Sequence, residues 1–339
     1  MMLKFRIIKE DLIPWREIES SYDSTIYKTR NWAEFLYKSQ KVKPYVVEIL
    51  QGEESLGFFY GQKIKKFGIS MVVSPFEGGT TAFQGLSMVK TITVEERIEI
   101  YKQLVSFLFK SNECLFFQVR DWQFKEHDVE GIFNYENVFG YKLDMTQDFD
   151  TVIYKNFKEK SCKYSIKKAL KNGIVVRQTF DVEQFAKNYY SQLIEVFAKQ
   201  GLKPTYDINR IIDLANSLTV GKELLLYEAY LADNKTCVAT GLFVRNENLA
   251  IYYGAASFQK YQNLCPNELL MYTAIKRIHE LGTKEMEFGG GRKYKEKYGP
   301  VPFNSPRIIL AKYSILIKLK DFAKKSYYGV RSVMSVFRK

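Results

Sequence analysis

Apolar residues along this chain fall into short alternating blocks and longer stretches of helical spacing, separated by glycine, proline, asparagine and aspartate. The punctuation is clearest in the second half. Ile174–Thr179 reads as a strand after the stop at Asn172–Gly173. Val182, Phe185, Tyr189, Leu193, Val196 and Phe197 recur at helical spacing and predict a helix that closes at Gly201. Asn209–Leu218 predicts a shorter helix. Leu224–Leu231, Cys237–Arg245 and Leu249–Ala256 predict three strands, joined by ADNK and NEN, which have hairpin chemistry. Pro266–Asn267 opens a helix over Glu268–Leu281 that Gly282 closes. A strand Glu285–Phe288, three glycines, a Lys/Tyr turn and a strand Ile308–Tyr313 complete the order.

The first half repeats this layout without residue-level identity. Strands are expected at Leu3–Ile8, Tyr45–Leu50, Leu56–Ile64, Ile69–Val73 and Leu115–Val119, and helices at Arg30–Lys38 and Val94–Lys110. Antiparallel strands followed by helix and strand form the layout of the GNAT acyltransferase fold, in which the fourth and fifth strands part at one end. The expected class is α/β (α+β): tandem GNAT-like domains, each a mixed, mostly antiparallel sheet flanked by helices. The expected division is 1–145, an acceptor-side domain; 146–313, a domain carrying the donor cleft; and 314–339, a basic amphipathic tail. Ile315, Leu319, Phe322, Val330, Val333 and Phe337 share one face of that tail. The tail either packs on the core or lies on an anionic membrane surface.

Composition narrows the classes. The chain has 339 residues, more than one hydrophobic core usually serves, and 46% of them are apolar. No apolar run of transmembrane length and no signal-peptide pattern is present, and the four cysteines are widely spaced. Together these predict a cytoplasmic protein with reduced thiols and no metal site. Fifty-one Lys and Arg against 38 Asp and Glu give a net charge of +13, which favours a polyanionic partner. Two histidines, His127 and His279, weigh against imidazole-based triads. The segment 154–173, YKNFKEKSCKYSIKKALKNG, holds seven lysines against one glutamate and predicts a basic helix between the halves. Lys163 and Lys167 within it are candidate anion contacts, with a solvated linker helix as the alternative.

The chemistry concentrates at EMEFGGGRKYKEKYG, residues 285–299. A P-loop would need Gly-Lys-Ser/Thr, and a dinucleotide loop would need a βαβ unit downstream; neither is present. Glycines at a strand end instead permit close approach of a ligand or of another backbone. Gly289 and Gly290 would open a cleft floor, Lys293, Lys295 and Lys297 would hold negative charge, and Tyr294 and Tyr298 would donate hydrogen bonds. An ordinary turn carrying surface lysines is the competing reading.

On these residues the chain resembles the Fem-type aminoacyltransferases and related GNAT-like proteins of bacterial polysaccharide gene clusters. The family's Asp-Phe-Gly-Gly strand end corresponds to Glu287–Phe288–Gly289–Gly290, and its Phe-Lys-x-x-Phe-Gly motif to Tyr294–Lys295–Glu296–Lys297–Tyr298–Gly299. SPFEGGTTAFQGL (74–86), VRDW (119–122), SCKYSIKKALKNGIVV (161–176) and YYGAASFQKYQNLCPNELLMYTAIKRI (252–278) resemble further family segments in the same order. Two positions depart: the family's Asp is Glu287, and its Trp in the first-half segment is Gly79. The resemblance implies amide formation on an amine, with the acyl group delivered by aminoacyl-tRNA. It assigns Lys295 to the donor's phosphate or ester end, Glu287 to the amine, and the backbone around Tyr253 to the oxyanion. Trp32, Arg120 and Asp121 are acceptor-side candidates; each has a structural alternative, core for Trp32 and an ion pair for Arg120–Asp121. The acceptor would be a nucleotide- or lipid-linked sugar precursor. No Gln/Arg-x-x-Gly-x-Gly/Ala cradle follows the fourth strand, where SFQKYQNLCPN stands instead. An acyl-CoA-dependent transfer to an amino sugar and a non-catalytic nucleic-acid-binding protein remain as alternatives.

Overall fold

A computed structural model describes residues 3–66, 68–77 and 80–320. In chain order its strands are β1 (Lys4–Ile8), β2 (Tyr45–Gln51), β3 (Glu54–Lys66), β4 (Ile69–Ser74), β5 (Gly85–Met88), β6 (Phe116–Val119), β7 (Tyr135–Asp144), β8 (Val175–Thr179), β9 (Leu224–Tyr230), β10 (Cys237–Arg245), β11 (Leu249–Ser257), β12 (Glu285–Gly290) and β13 (Val301–Ala311). Its helices are α1 (Trp15–Glu19), α2 (Arg30–Gln40), α3 (Val94–Lys110), α4 (Glu126–Val129), α5 (Tyr164–Lys171), α6 (Val182–Ala198), α7 (Asn209–Ser217) and α8 (Pro266–Glu280). Shorter 3₁₀ and π turns join them.

The residues form two compact units, and each draws on separated parts of the chain. One comprises the described residues of Met1–Ile13, Pro44–Asn137 and Ser305–Lys339, and the other Pro14–Lys43 and Val138–Asn304. In the first unit β1, β2, β3 and β4 pair antiparallel in that order, β4 pairs parallel with β6, and β6 pairs antiparallel with β13. Helix α3 begins with a capping box between Thr93 and Glu96, which satisfies two amide donors at its open end. It contributes Ile100, Tyr101, Leu104 and Leu108 to the core.

In the second unit β8, β9, β10 and β11 form an antiparallel meander, β12 adds parallel to β11, and β7 pairs antiparallel with β12. A parallel neighbour requires a crossover, and α8 supplies it. Its Leu270, Ala274 and Ile278 pack with Phe243, Ala250 and Met286 in the core cluster. Both units are thus open, mostly antiparallel sheets flanked by helices, the expected class.

Several elements differ from expectation. Residues 154–173 are not one helix: a 3₁₀ turn at Tyr154–Asn156 and a π turn at Glu159–Lys163 precede the eight-residue α5. Strands β5 and β7 lie in stretches for which the sequence pattern predicts no element. β13 begins at Val301 rather than Ile308, because Pro302 near its start and Pro306 within it obscured the strand pattern. Of the tail, residues 315–320 are helical, and its remainder lies outside the described residues. Gly79 also lies outside them. Among the described residues no helix is long and apolar enough to cross a membrane.

Candidate active site

The parallel ladder between β11 and β12 is short. Leu249, Ala250 and Ile251 pair with Glu285, Met286 and Glu287, and the pairing ends there. Beyond it, Tyr252–Ala255 on β11 are only partly buried, although they lie in an inner strand of the sheet. On its opposite side, against β10, β11 carries a bulge: Leu242 faces Gly254 and Phe243 faces Tyr252, so Tyr253 is the extra residue. A bulge bends its strand and re-aims a side chain. The outcome is a gap in the sheet at the position the sequence assigned to it.

The three glycines at the end of β12 perform different tasks. Gly289 has φ +67°, a conformation that L side chains rarely adopt. Gly290 pairs with Gly140 of β7 after a register shift, and a side chain there would meet open space. Gly291 lies against Phe139, whose ring carbon stands 2.4 Å from where a Cβ would sit. Lys295 returns over this turn and its ammonium donates to the carbonyls of Phe288, at 2.5 Å, and Gly290, at 2.9 Å. The same Nζ lies 5.7 Å from the centre of the Tyr252 ring. Tyr252 in turn stacks on Phe243, with its hydroxyl bonded to Tyr294.

Lys295 is 8% exposed. Burial lowers its pKa from 10.5 to about 8, against the opposing influence of the Glu287 carboxylate. Glu287 is itself buried on β12. Between about pH 8 and 10.5 the unfolded chain therefore holds a proton at this lysine that the folded chain has released, and stability gains with rising pH from this group. In urea denaturation series across that window, the wild type is expected to gain stability relative to Lys295→Met as pH rises. A constant difference between the two proteins would contradict the assignment.

Opposite Lys295, α6 brings Tyr189 against β11. The Tyr189 hydroxyl lies 2.6 Å from the Cβ position of Gly254, so only glycine admits it. It shares a 2.9 Å hydrogen bond with the hydroxyl of Tyr206, and burial pushes both phenols above their ordinary range, with Tyr253 adding to the effect. These tyrosines and Tyr252 were not singled out in the sequence. Tyr189 fitted a helix core, and the glycine of YYGA was the one available signal.

The remaining candidates are distributed. Tyr253 and Trp32 meet edge to face at 6.1 Å, but Trp32 is fully buried between Tyr27 and Phe35, so the core reading holds for its ring. Tyr294 is half exposed, and Lys293 is exposed beside it. Tyr298 is buried, stacked on Phe288 and edge-on to Phe157, and serves packing rather than the gap. Lys163 bonds Glu159 at 3.2 Å and the carbonyl of Lys155 at 3.1 Å, whereas Lys167 is exposed. Arg120 and Asp121 belong to the other unit and serve its core. Arg120 donates to Ser305 and to the Ala82 carbonyl and lies over the Phe83 ring. Asp121 accepts from Arg97 and Tyr101, each at 2.7 Å.

The N-terminus of α8 opens beside the gap. Its first residue, Pro266, has no N–H to offer, and Glu268 in the first turn pairs with Lys297 at 2.5 Å. A carboxylate therefore already occupies the end of the helix where an anion would be drawn.

Comparison with known proteins agrees with this architecture. Residues 156–298 match the model of the acetyltransferase (GNAT) domain. The crystal structure of FemX is similar with a TM-score of 0.69 at 12% identity, over 91% of this chain and 97% of that one. A conserved protein of unknown function from Bacteroides thetaiotaomicron gives 0.58 at 12% identity, over 92% and 100% of the two chains. The C-terminal domain of a putative lysylphosphatidylglycerol synthetase from Agrobacterium fabrum gives 0.52 at 9% identity, over 83% and 88%. No curated protein matches the chain. At such identities the likeness is one of fold, and that fold is the GNAT acyltransferase fold.

Proposed function

We propose that the chain is an aminoacyl- or acyltransferase that forms an amide on an amine of a cell-envelope or polysaccharide precursor. The observation that carries this reading is the ladder that stops at Ile251–Glu287, with the Lys295 ammonium held at its mouth. An extended donor seated in that gap presents its carbonyl to the backbone of β11 around Tyr253–Ala255, where an amide N–H stabilises the oxyanion. Lys295 offsets the negative charge that develops on the donor side. Glu287 orients the acceptor amine or accepts its proton as the C–N bond forms and the donor's C–O or C–S bond breaks. The amine attacks directly: burial holds Cys162 and Cys237 as thiols, with pKa values pushed up to about 12, which disfavours a thiolate nucleophile.

Among donors, the ester of an aminoacyl-tRNA fits better than acyl-CoA, because Pro266 and the Glu268 carboxylate stand where the helix N-terminus would cradle a pyrophosphate. One similar fold is that of a putative lysylphosphatidylglycerol synthetase domain, a name that speaks of an aminoacyl product. The acceptor in this reading is a nucleotide- or lipid-linked sugar carrying a free amine, modified in the cytoplasm. Calorimetric titration with acetyl-CoA at moderate salt is expected to give no saturable binding, while charged tRNA supports amide formation. One-to-one binding of acetyl-CoA that Lys295→Ala weakens would move the assignment to a CoA-dependent N-acyltransferase acting on an amino sugar. RNA binding without turnover, indifferent to Lys295, would leave the non-catalytic reading.

A further inference from the structure

Residues 159–171 present a second feature, which lies away from Lys295 in the chain and does not enter the reaction above. Cys162, Ile166 and Ala169 bury the inner side of this turn and helix. Tyr164, Lys167 and Lys171 follow on α5 at steps of three and four residues, the spacing that stacks side chains on one helix face; Lys160 lies in the π turn just before them, and all four are exposed. Leu170 lies at the edge of that face and is 58% exposed, and Tyr164 is 63% exposed. Lys160, Tyr164, Lys167 and Glu159 line a shallow hollow of about 380 Å³. The only acid in 154–173, Glu159, already pairs with Lys163.

The chemistry of this face distinguishes among polyanions. All seven of the segment's cations are lysines and none is arginine. Arginine is the residue suited to bidentate, oriented recognition of nucleic-acid phosphates, whereas lysine is a hydrated point charge whose attraction needs no fixed geometry. A surface of mobile anionic headgroups requires no fixed geometry. An exposed tyrosine and an exposed leucine among the lysines match the depths of an interface, with the phenol at headgroup level and the aliphatic chain below it. An exposed leucine has no comparable use against a phosphate backbone.

We propose that the lysine face of residues 159–171, with Tyr164 and Leu170, docks the protein on an anionic lipid surface. This goes beyond the transferase reading and does not depend on it. The test is co-sedimentation of the full chain with phosphatidylcholine vesicles prepared with and without phosphatidylglycerol. The protein is expected to pellet only with the anionic vesicles. The triple variant K160E/K167E/K171E is expected to lower the partition coefficient by roughly 100-fold or more, since each lysine near such a surface contributes about 1 kcal/mol. Y164S/L170S is expected to lower it about tenfold at a salt concentration that screens the lysines. K160Q/K167Q/K171Q, which changes exposed side chains without adding like charge, is expected to be folded by circular dichroism and to bind weakly. Undiminished vesicle binding by the folded triple variants would overturn the proposal and assign the attraction to another part of the chain. A wild type that ignores anionic vesicles but binds a folded RNA through these lysines would overturn it in favour of nucleic acid.

Discussion

Replacing Lys295 with alanine is expected to lower amide formation by roughly 10²- to 10³-fold, the range seen when a preorganised charge or donor is removed from a developing oxyanion. The fold should persist. Lys295 gives up two hydrogen bonds to carbonyls in this change, but the protein no longer keeps an ammonium out of water, and the two effects oppose one another. Single-turnover rates with an aminoacyl donor, measured beside a thermal melt, separate chemistry from folding. A rate within a few fold of wild type in a folded variant would reduce Lys295 to a strap across the glycine turn. Glu287→Gln is expected to be milder at saturating pH, because an amine positioned by other groups can lose its proton to water.

Asp121→Ala is expected to act on stability instead, with a loss of about 3–5 kcal/mol, the cost of leaving the partner of a buried ion pair without its counter-charge. Asp121 is buried, its Oδ2 accepts from Arg97 and Tyr101, and Arg97 is also buried. Space around the carboxylate is already limited: a Cβ on Gly85 would come within 2.9 Å of it. A domain stabilised by 5–15 kcal/mol would lose a large part of its margin. Urea denaturation of Asp121→Ala, Arg97→Met and the double variant gives the coupling directly. A double variant no more stable than the sum of the two single changes would mean that the pair carries no specific energy. Substantial loss of acceptor affinity in a fully stable Asp121→Ala protein would restore the acceptor-contact reading.

The two variants mark how far the sequence was legible. Element type could be read wherever pattern and punctuation agreed. Cys237–Arg245 and Val94–Lys110 match β10 and α3 at both ends, and the glycine-ended strand lies at the gap. The sequence does not encode the partner of a side chain in local terms. VRDW reads as a charged strand end, and only the tertiary structure shows that Asp121 faces Arg97 from α3. Tyr189 fits a helical stripe so well that nothing local distinguishes a packed ring from a hydroxyl aimed at a bulge. Residues 154–173 satisfied a helical spacing, yet a 3₁₀ turn and a π turn precede α5, because burying Phe157 and Cys162 outweighs regular winding. β7 failed for the opposite reason: Tyr135–Asp144 mixes buried and exposed residues without clean alternation.

The interleaving of the two units along the chain has a consequence for heredity. Residues 156–298 carry the recognisable acyltransferase signature, but the sheet around them is completed by β7, and the ring against Tyr253 comes from Pro14–Lys43. A gene fragment spanning only the signature would encode β12 with an open edge, a template for pairing with other chains. No single crossover can transplant this unit intact. Evolution would have to move the gene whole, and an attempt at domain shuffling would have to cut it in four places.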